Sequence, residues 1–406
     1  MNTKRAQMGI IFLTIFIDMV GFGIVIPVLP LYAEHFGASA VQNGLLVAAF
    51  SFAQFFASPV WGKISDRVGR KPVLFVSLLG TAIGFVFMGL AGELWVLFAA
   101  RLLAGFCGGN IGTAQAYIAD ITTREERAKA MGLIGAAFGL GFVFGPAIGG
   151  IVGARYGFAA PMYVAAALSL ISAILVWRVL PESLPPERRG IGAKESIFAV
   201  FDHADARIYQ VVTSVYFFII AGFSMMTFVF ALFIYHRFDM DAAATGKILA
   251  MVGLIGVVIQ GGLIGRLVKA FGEIRLAITG GIILAGSLCL LPLTSTLAGL
   301  LWASAGVAIG NSLLTPTLTG LASRSVDQDW QGRALGLFQS AGSLARWIGP
   351  AAAGFLLALD VGKPIESYAR TPLWTGAVLV FIATALMLLI PARRVQPSEP
   401  VTAGAK

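Results

Sequence analysis

Apolar residues in this chain do not alternate with polar ones at the period of a half-buried strand or surface helix. They run on for about 18 to 27 residues at a time between short polar breaks. Twelve such runs lie near residues 8–33, 43–62, 73–92, 94–119, 130–153, 159–180, 208–235, 246–265, 276–295, 297–322, 334–359 and 372–391; they are numbered span 1 to span 12. At about 1.5 Å of helical rise per residue, each crosses a hydrocarbon layer roughly 30 Å thick. The pattern predicts an all-α integral membrane protein of twelve helices. Composition agrees: 58% hydrophobic residues, 12% charged residues and a mean hydropathy of +0.86 leave too little polar surface to cover a soluble globule. Span 1 follows Lys4 and Arg5 as a secretory signal would, but it is too long and has no small-residue cleavage site, so it reads as a retained helix.

The formal charge of +9 suggests a nucleic-acid surface until the basic residues are placed on the span map. With the N-terminus inside, twenty-two of the 29 Lys and Arg fall on one side of the membrane, among them Lys63, Arg67, Arg70, Lys71, Arg124, Arg127, Lys129, Arg188 and Arg189. Five, Arg155, Arg237, Lys247, Lys363 and Arg370, fall on the other, and Arg101 and Arg346 lie within spans. The asymmetry predicts both termini in the cytoplasm of a multi-pass protein in the inner (plasma) membrane, with the lipid bilayer and not nucleic acid as its surroundings. Cys107 and Cys289 both lie in apolar runs, and the three histidines, His35, His203 and His236, sit at or beyond span ends. Neither set has metal-ligand spacing or a nucleophile partner, so neither a cofactor nor an enzyme activity is expected.

The longest polar stretch, 181–207, carries Pro181, Pro185 and Pro186 and divides the chain near its midpoint. The expected organisation is an N-terminal six-helix half, 1–180, a cytoplasmic linker, 181–207, a C-terminal half, 208–392, and a cytoplasmic tail, 393–406. The middle of the linker, Ile191 to Phe201, reads as a surface helix or as a plain loop. The halves echo one another. Gly109-Asn110 in span 4 matches Gly310-Asn311 in span 10 at an offset of 201, and Gly145-Pro146 in span 5 matches Gly349-Pro350 in span 11 at 204. Such an offset is the mark of an internal repeat.

Between spans 2 and 3 stands Gly62-Lys63-Ile64-Ser65-Asp66-Arg67-Val68-Gly69-Arg70-Lys71, glycines allowing a tight turn and basic residues meeting the inner surface. This ordered pattern, G-x-x-x-D-R-x-G-R-K, resembles the signature loop of the major facilitator superfamily, which implies a twelve-helix major facilitator fold. The resemblance further implies that Asp66 faces the N-terminal dipole of span 11 and that a loop Arg pairs with Asp120 at the end of span 4, holding the cytoplasmic side shut. The matching loop after span 8 keeps Gly272 but has Lys269 where Asp66 would align. In span 5, Gly141, Gly145 and Gly149 share one face, with Pro146 and Gly150 beside them. Physics alone reads ordinary small-residue packing, whereas the pattern G-x-x-x-G-P-x-x-G-G is similar to the antiporter motif of the superfamily.

Span 1 carries Asp18 about ten residues in, near mid-membrane, and no other of the 20 acids lies so deep. An intramembrane acid is costly and usually functional, the alternative being a hydrogen bond to a neighbouring helix. The segment Asp18 to Pro30, together with Gly109 to Asp120, resembles the tetracycline-efflux branch of proton-coupled drug antiporters. That branch implies a proton-coupling role for Asp18, tuned by Arg101. Its members carry further acids in helices 3 and 9, whereas here Gly84 stands in the matching place of span 3 and span 9 has none; tetracycline is therefore not carried over as the substrate.

Arg101, Gly105, Gly108, Gly112 and Gln115 fall on one small, polar face of span 4 at helical spacing, a face suited to lining a cavity. Arg346 lies about 20 Å along span 11, on a face with Gln339 and Gly342, too deep to snorkel easily. It reads either as the contact for an anionic group on the substrate or as a counter-ion to Asp18. Gln54, Asn110, Asn311 and Gln260 complete the candidate substrate contacts, although single amides often only join helices. The Phe and Met residues of span 7, Phe217 to Phe230, suit varied apolar ligands, but lipid-facing packing explains such residues more often. The combined expectation is a monomeric, proton-coupled exporter of a small hydrophobic or amphipathic compound. The alternatives are a symporter or facilitator for a sugar or organic anion, and a lipid or lysophospholipid transporter.

Overall fold

The computed structural model describes residues 3–122, 124–189, 197–202, 204–326 and 330–390. Twelve long helices build it. Span 1 comprises Thr3–Val25 and Leu29–His35, span 2 Ala40–Val68, span 3 Arg70–Gly89, span 4 Leu94–Cys107 and Ile111–Ile121, span 5 Arg124–Tyr156 and span 6 Ala159–Val179. Span 7 is Ala206–Phe238, span 8 runs from Ala242 to Phe271 through a π-helical turn at Ile259–Leu263, span 9 is Glu273–Leu290, span 10 Leu297–Arg324, span 11 Gln331–Ala358 and span 12 Arg370–Leu386. Among the described residues ten of these are long and apolar enough to cross a membrane. The other two, spans 5 and 11, are 33 and 28 residues long and also exceed the bilayer core in length. The outer surface is apolar, with Trp302, Leu388 and Phe381 exposed by 80, 71 and 67%, as a lipid-facing wall requires.

Local chemistry sets the ends and breaks. Ser39 caps span 2 in a reciprocal box with Gln42, and Asp241 caps span 8 by accepting from the Ala244 amide. Gly69 and Gly272 turn the chain between spans 2 and 3 and between spans 8 and 9 at φ of 114° and 76°, conformations that suit glycine. Span 1 breaks at Ile26–Val28, which contains Pro27 and precedes Pro30. Span 4 breaks at Gly108–Asn110, where Gln54 Nε2 donates to the Gly108 carbonyl at 2.9 Å and Trp61 Nε1 to that of Phe106 at 2.6 Å, replacing lost helical bonds. The polar face expected on a continuous span 4 is therefore divided: Arg101 and Gly105 press on span 2, while Gly112 meets open space.

The packing repeats. Span 1 packs on spans 5 and 6, span 3 on spans 4 and 6, and span 2 on span 4; likewise span 7 packs on spans 11 and 12, span 9 on spans 10 and 12, and span 8 on span 10. Two seams join the two groups of six, span 5 against span 8 and span 11 against span 2. Both depend on a missing side chain. A Cβ on Gly246 would strike the Pro146 carbonyl, and one on Gly44 would lie 2.6 Å from the Pro350 carbonyl and 2.7 Å from Gly354 Cα. Gly150 meets Ala242 and Gly253 meets Val143 farther along the first seam.

These contacts lie toward the end opposite the linker, the far end. There His236 Nε2, at the close of span 7, is 3.1 Å from both carboxylate oxygens of Glu34, at the close of span 1. At the linker end, Ile264–Phe271 of span 8 contains no buried residue. The described cross-group contacts thus close the far end. Of the linker, Pro186–Arg188 and Ile197–Asp202 are 3₁₀ turns, while residues 190–196 and His203 lie outside the described residues, as does the tail. Span 7 is buried in the protein, with Met225, Met226, Phe228 and Phe230 at 4% exposure or less, so lipid does not cover these side chains.

Gly44→Ala and Gly246→Ala place a methyl against backbone that has no freedom to yield, so each should cost about 1–3 kcal/mol. Gly286, with nothing within 4 Å of its absent Cβ, provides the control, since Gly→Ala in an open helical position stabilises by roughly 0.5–1 kcal/mol. Thermal unfolding in detergent should show a lower midpoint for both seam variants and an unchanged or higher one for Gly286→Ala.

Candidate functional site

Span 1 presents Asp18 and, one turn later, Phe22 on adjacent parts of one face. The Phe22 ring lies 5.3 Å from Phe50 of span 2 and 6.3 Å from Phe142 of span 5, so this face looks between those two spans toward the middle of the bundle. Asp18 is half-buried, and no hydrogen bond or ion pair joins it to another described residue. Gly23, Gly141 and Gly145 allow the supporting contact, with absent Cβ atoms at 3.0 Å or less from the opposing helix. Gly149 approaches the Ile24 carbonyl in the same way. The span 5 motif therefore works on two fronts: Gly141, Gly145 and Gly149 seat span 1, while Pro146 and Gly150 seat span 8.

Arg101 is 4% exposed and does not snorkel. Its Nη2 donates to the Val47 carbonyl at 3.2 Å, and its guanidinium stands 4.7 Å over the Phe50 ring. It lies behind the aromatic layer that Asp18 adjoins, linked through Phe50 and Phe22 and not by an ion pair. Gly84 of span 3 has no room for a side chain: its Cβ would lie 2.9 Å from that of Ala104 in span 4. A carboxylate does not fit there. Gln54 is committed to the span 4 break, and Asn110 Nδ2 donates to Ser77 Oγ in span 3 at 3.0 Å, so both expected substrate contacts act between helices in this arrangement.

In the second group, Tyr216 of span 7 donates its hydroxyl to Gln339 Oε1 at 3.4 Å and stacks on Phe338 at 3.9 Å. One and two turns beyond Gln339 come Ser343 and Arg346, whose Nη2 donates to Ser343 Oγ at 2.9 Å. Asn311 of span 10 accepts from Thr315, and Gln115 on span 4 is half-buried without a described partner. Gln339 and Arg346 thus share one face of span 11, two turns apart, while Gln54, Asn110 and Asn311 are distributed among helix contacts.

At the linker end the 2–3 loop is a charge network within the first group. Arg70 Nη1 meets Asp66 at 2.5 Å and Ser65 at 3.0 Å, and its Nε meets Asp120 at 3.2 Å. Among the described residues Asp66 pairs with Arg70 and not with the start of span 11, as the closed far end leads one to expect. Glu182 was not foreseen: its carboxylate accepts from the Arg70 and Lys71 amides at 2.9 and 3.2 Å, capping span 3 where the helix dipole favours an anion. It also packs over Gly69, while Lys71 lies over the Trp177 ring and Gly62 meets open space. Arg67 makes no such contact among the described residues. The second loop carries the same device with charges exchanged, Glu273 after Gly272 pairing with Arg324 at the end of span 10. An acid directly following a helical run is the signal that would have found Glu182.

The profile of the Major Facilitator Superfamily matches residues 11–350 and 263–406. The chain is 33% identical to the class C tetracycline resistance protein of Escherichia coli, over 94% of each chain. It is 32% identical to multidrug resistance protein 2 of Bacillus subtilis, over 89% of this chain and 92% of that one. In fold it resembles the bacterial homolog of the human lysosomal transporter Spinster in its inward-facing, unoccupied conformation, with a TM-score of 0.78 at 16% identity, covering 96% of this chain and 97% of that one. With its twelve helices, its seams of glycine on proline carbonyl and its 2–3 loop, the chain belongs to the Major Facilitator Superfamily of membrane transporters, which are not enzymes.

Proposed function

We propose that this protein exports small hydrophobic or amphipathic compounds across the plasma membrane, driven by inward proton flow, through alternating access between the halves 1–180 and 208–392. The observation that carries the reading is Asp18, a half-buried carboxyl near mid-membrane with no described partner, beside an aromatic layer that spans 1, 2 and 5 share. A carboxyl that is neither paired nor neutralised by a neighbour is free to change charge with the conformation around it, which coupling requires. The tetracycline and multidrug resistance relatives support export as the direction and an amphipathic drug-like molecule as the cargo.

In this mechanism Asp18 takes a proton when the far end opens and the substrate leaves. It gives that proton up when the linker end opens, and the next molecule enters. Arg101 sets the charge behind the aromatic layer. The Asp66–Arg70–Asp120 network moves as one body with the first half and meets span 11 when the linker end closes. The lopsided distribution of Lys and Arg supports cytoplasmic termini and linker. The chain acts as a monomer.

Inside-out vesicles test the coupling. Asp18→Asn fixes the neutral form and should abolish export against a gradient driven by an imposed pH difference, with folding and insertion intact. An Asn variant that still concentrates substrate in proportion to the pH difference moves its proton elsewhere. Topology has its own check: with Cys107 and Cys289 changed to serine, a cysteine at position 188 should react with an impermeant maleimide only after the cells are opened, and labelling of that variant in intact cells reverses the orientation.

A further inference from the structure

Three charges lie deep in the described interior, Asp18, Arg101 and Arg346. Arg101 is already engaged, with a backbone carbonyl and the Phe50 ring against its guanidinium. Arg346 differs. Its described bond goes to Ser343 on its own helix, and among the described residues no carboxylate lies within ion-pair distance. The lipid-facing Ile348 and Phe355 of span 11 are exposed by 38 and 56% and stand about half a turn away around the helix. Gly342 and Gly349 pack on span 7, and Pro350 on span 2, which places Arg346 between those contacts, facing the interior. Two turns back on the same face, Gln339 accepts the Tyr216 hydroxyl through its oxygen, leaving both amide N–H groups as donors. The array is rich in donors, positively charged and without an anion among the described residues, and an intramembrane cation that faces the interior is completed by one. Next to it in the chain is a flat apolar surface that is accessible, Trp347 against Phe52 at 4.9 Å.

Resting on the export reading, we propose that Arg346, with Gln339, binds an anionic oxygen group, a carboxylate, enolate or sulfonate, carried on a flat aromatic body, so that amphipathic aromatic anions are the preferred cargo. The guanidinium takes two oxygens side by side, and the Gln339 amide donates to one of them.

Two xanthene dyes of similar size and opposite charge test this, fluorescein as the anion and rhodamine 123 as the cation. Fluorescein binding to the purified full chain is followed by fluorescence polarisation, and pH-driven transport of each dye by uptake into proteoliposomes. Arg346→Gln should weaken fluorescein binding and transport about tenfold or more, as expected for loss of one charge-assisted contact, and leave rhodamine 123 within about twofold; Arg346→Lys should recover part of the fluorescein signal. Equal loss of both dyes with the fold intact makes Arg346 a structural residue or a counter-ion to Asp18 and overturns the proposal. So does wild-type protein that does not bind fluorescein, or a Gln variant that binds it unchanged. Fluorescein binding that depends on Arg346, without any transport driven by pH, instead overturns the proton-export reading and leaves the anion site standing.

Discussion

Two helices in lipid gain nothing from hiding apolar side chains from one another, because the surrounding hydrocarbon is equally apolar. What holds them is how closely their backbones approach, and the structure depends on two places where a glycine lets one helix rest on a proline carbonyl of another. Gly246 on Pro146 and Gly44 on Pro350 join the two six-helix groups at the far end. Because each contact lacks intervening side chains, it is either made or broken, which suits a two-state element better than a compressible layer of long side chains would. The His236–Glu34 contact lies at the same end and adds a polar tie between spans 7 and 1.

The interior charges have the opposite logic. Near the two ends of the bundle several described charges are paired or shared: Arg70 with two acids, Glu182 with a helix start, Glu273 with Arg324, and Asp360 with Lys363 and Thr371. Among the three deep charges, Arg101 rests on a carbonyl and a ring of span 2, whereas Asp18 and Arg346 have no described partner on another helix, one in each group of helices. Unpaired charge in a membrane is expensive and persists where something that arrives and departs completes it. A proton for the acid and an anionic cargo for the base satisfy this requirement without a permanent partner.

Much of this was legible in the chain itself. Run lengths gave the spans, and the repeated Gly-Pro and Gly-Asn pairs pointed to the halves. Residue order around Asp66 and Pro146 carried the family. What escaped depended on distant partners. Gly44 and Gly246 follow the same internal offset, 202, as do their caps Ser39 and Asp241, but a lone glycine in an apolar run gives no sign of the carbonyl it meets. The span 4 break was hidden because Gly108-Gly109-Asn110 is tolerated in a helix and is interrupted only when Gln54 and Trp61 arrive to take the freed carbonyls. Gln54 and Asn110 read as substrate contacts because an amide in an apolar run looks alike whether its partner is a ligand or a neighbouring helix.

Glycine resting on a proline carbonyl holds the far end closed. Spin labels at Tyr156 and Lys247, exposed positions at the far ends of spans 5 and 8, report the separation across one seam by double electron–electron resonance. In the parent protein the account predicts a distribution dominated by one short distance. With Gly44 and Gly246 both changed to alanine it predicts a second, longer distance that takes over much of the population. An unchanged distribution in the double variant, with the protein folded and inserted, would contradict it.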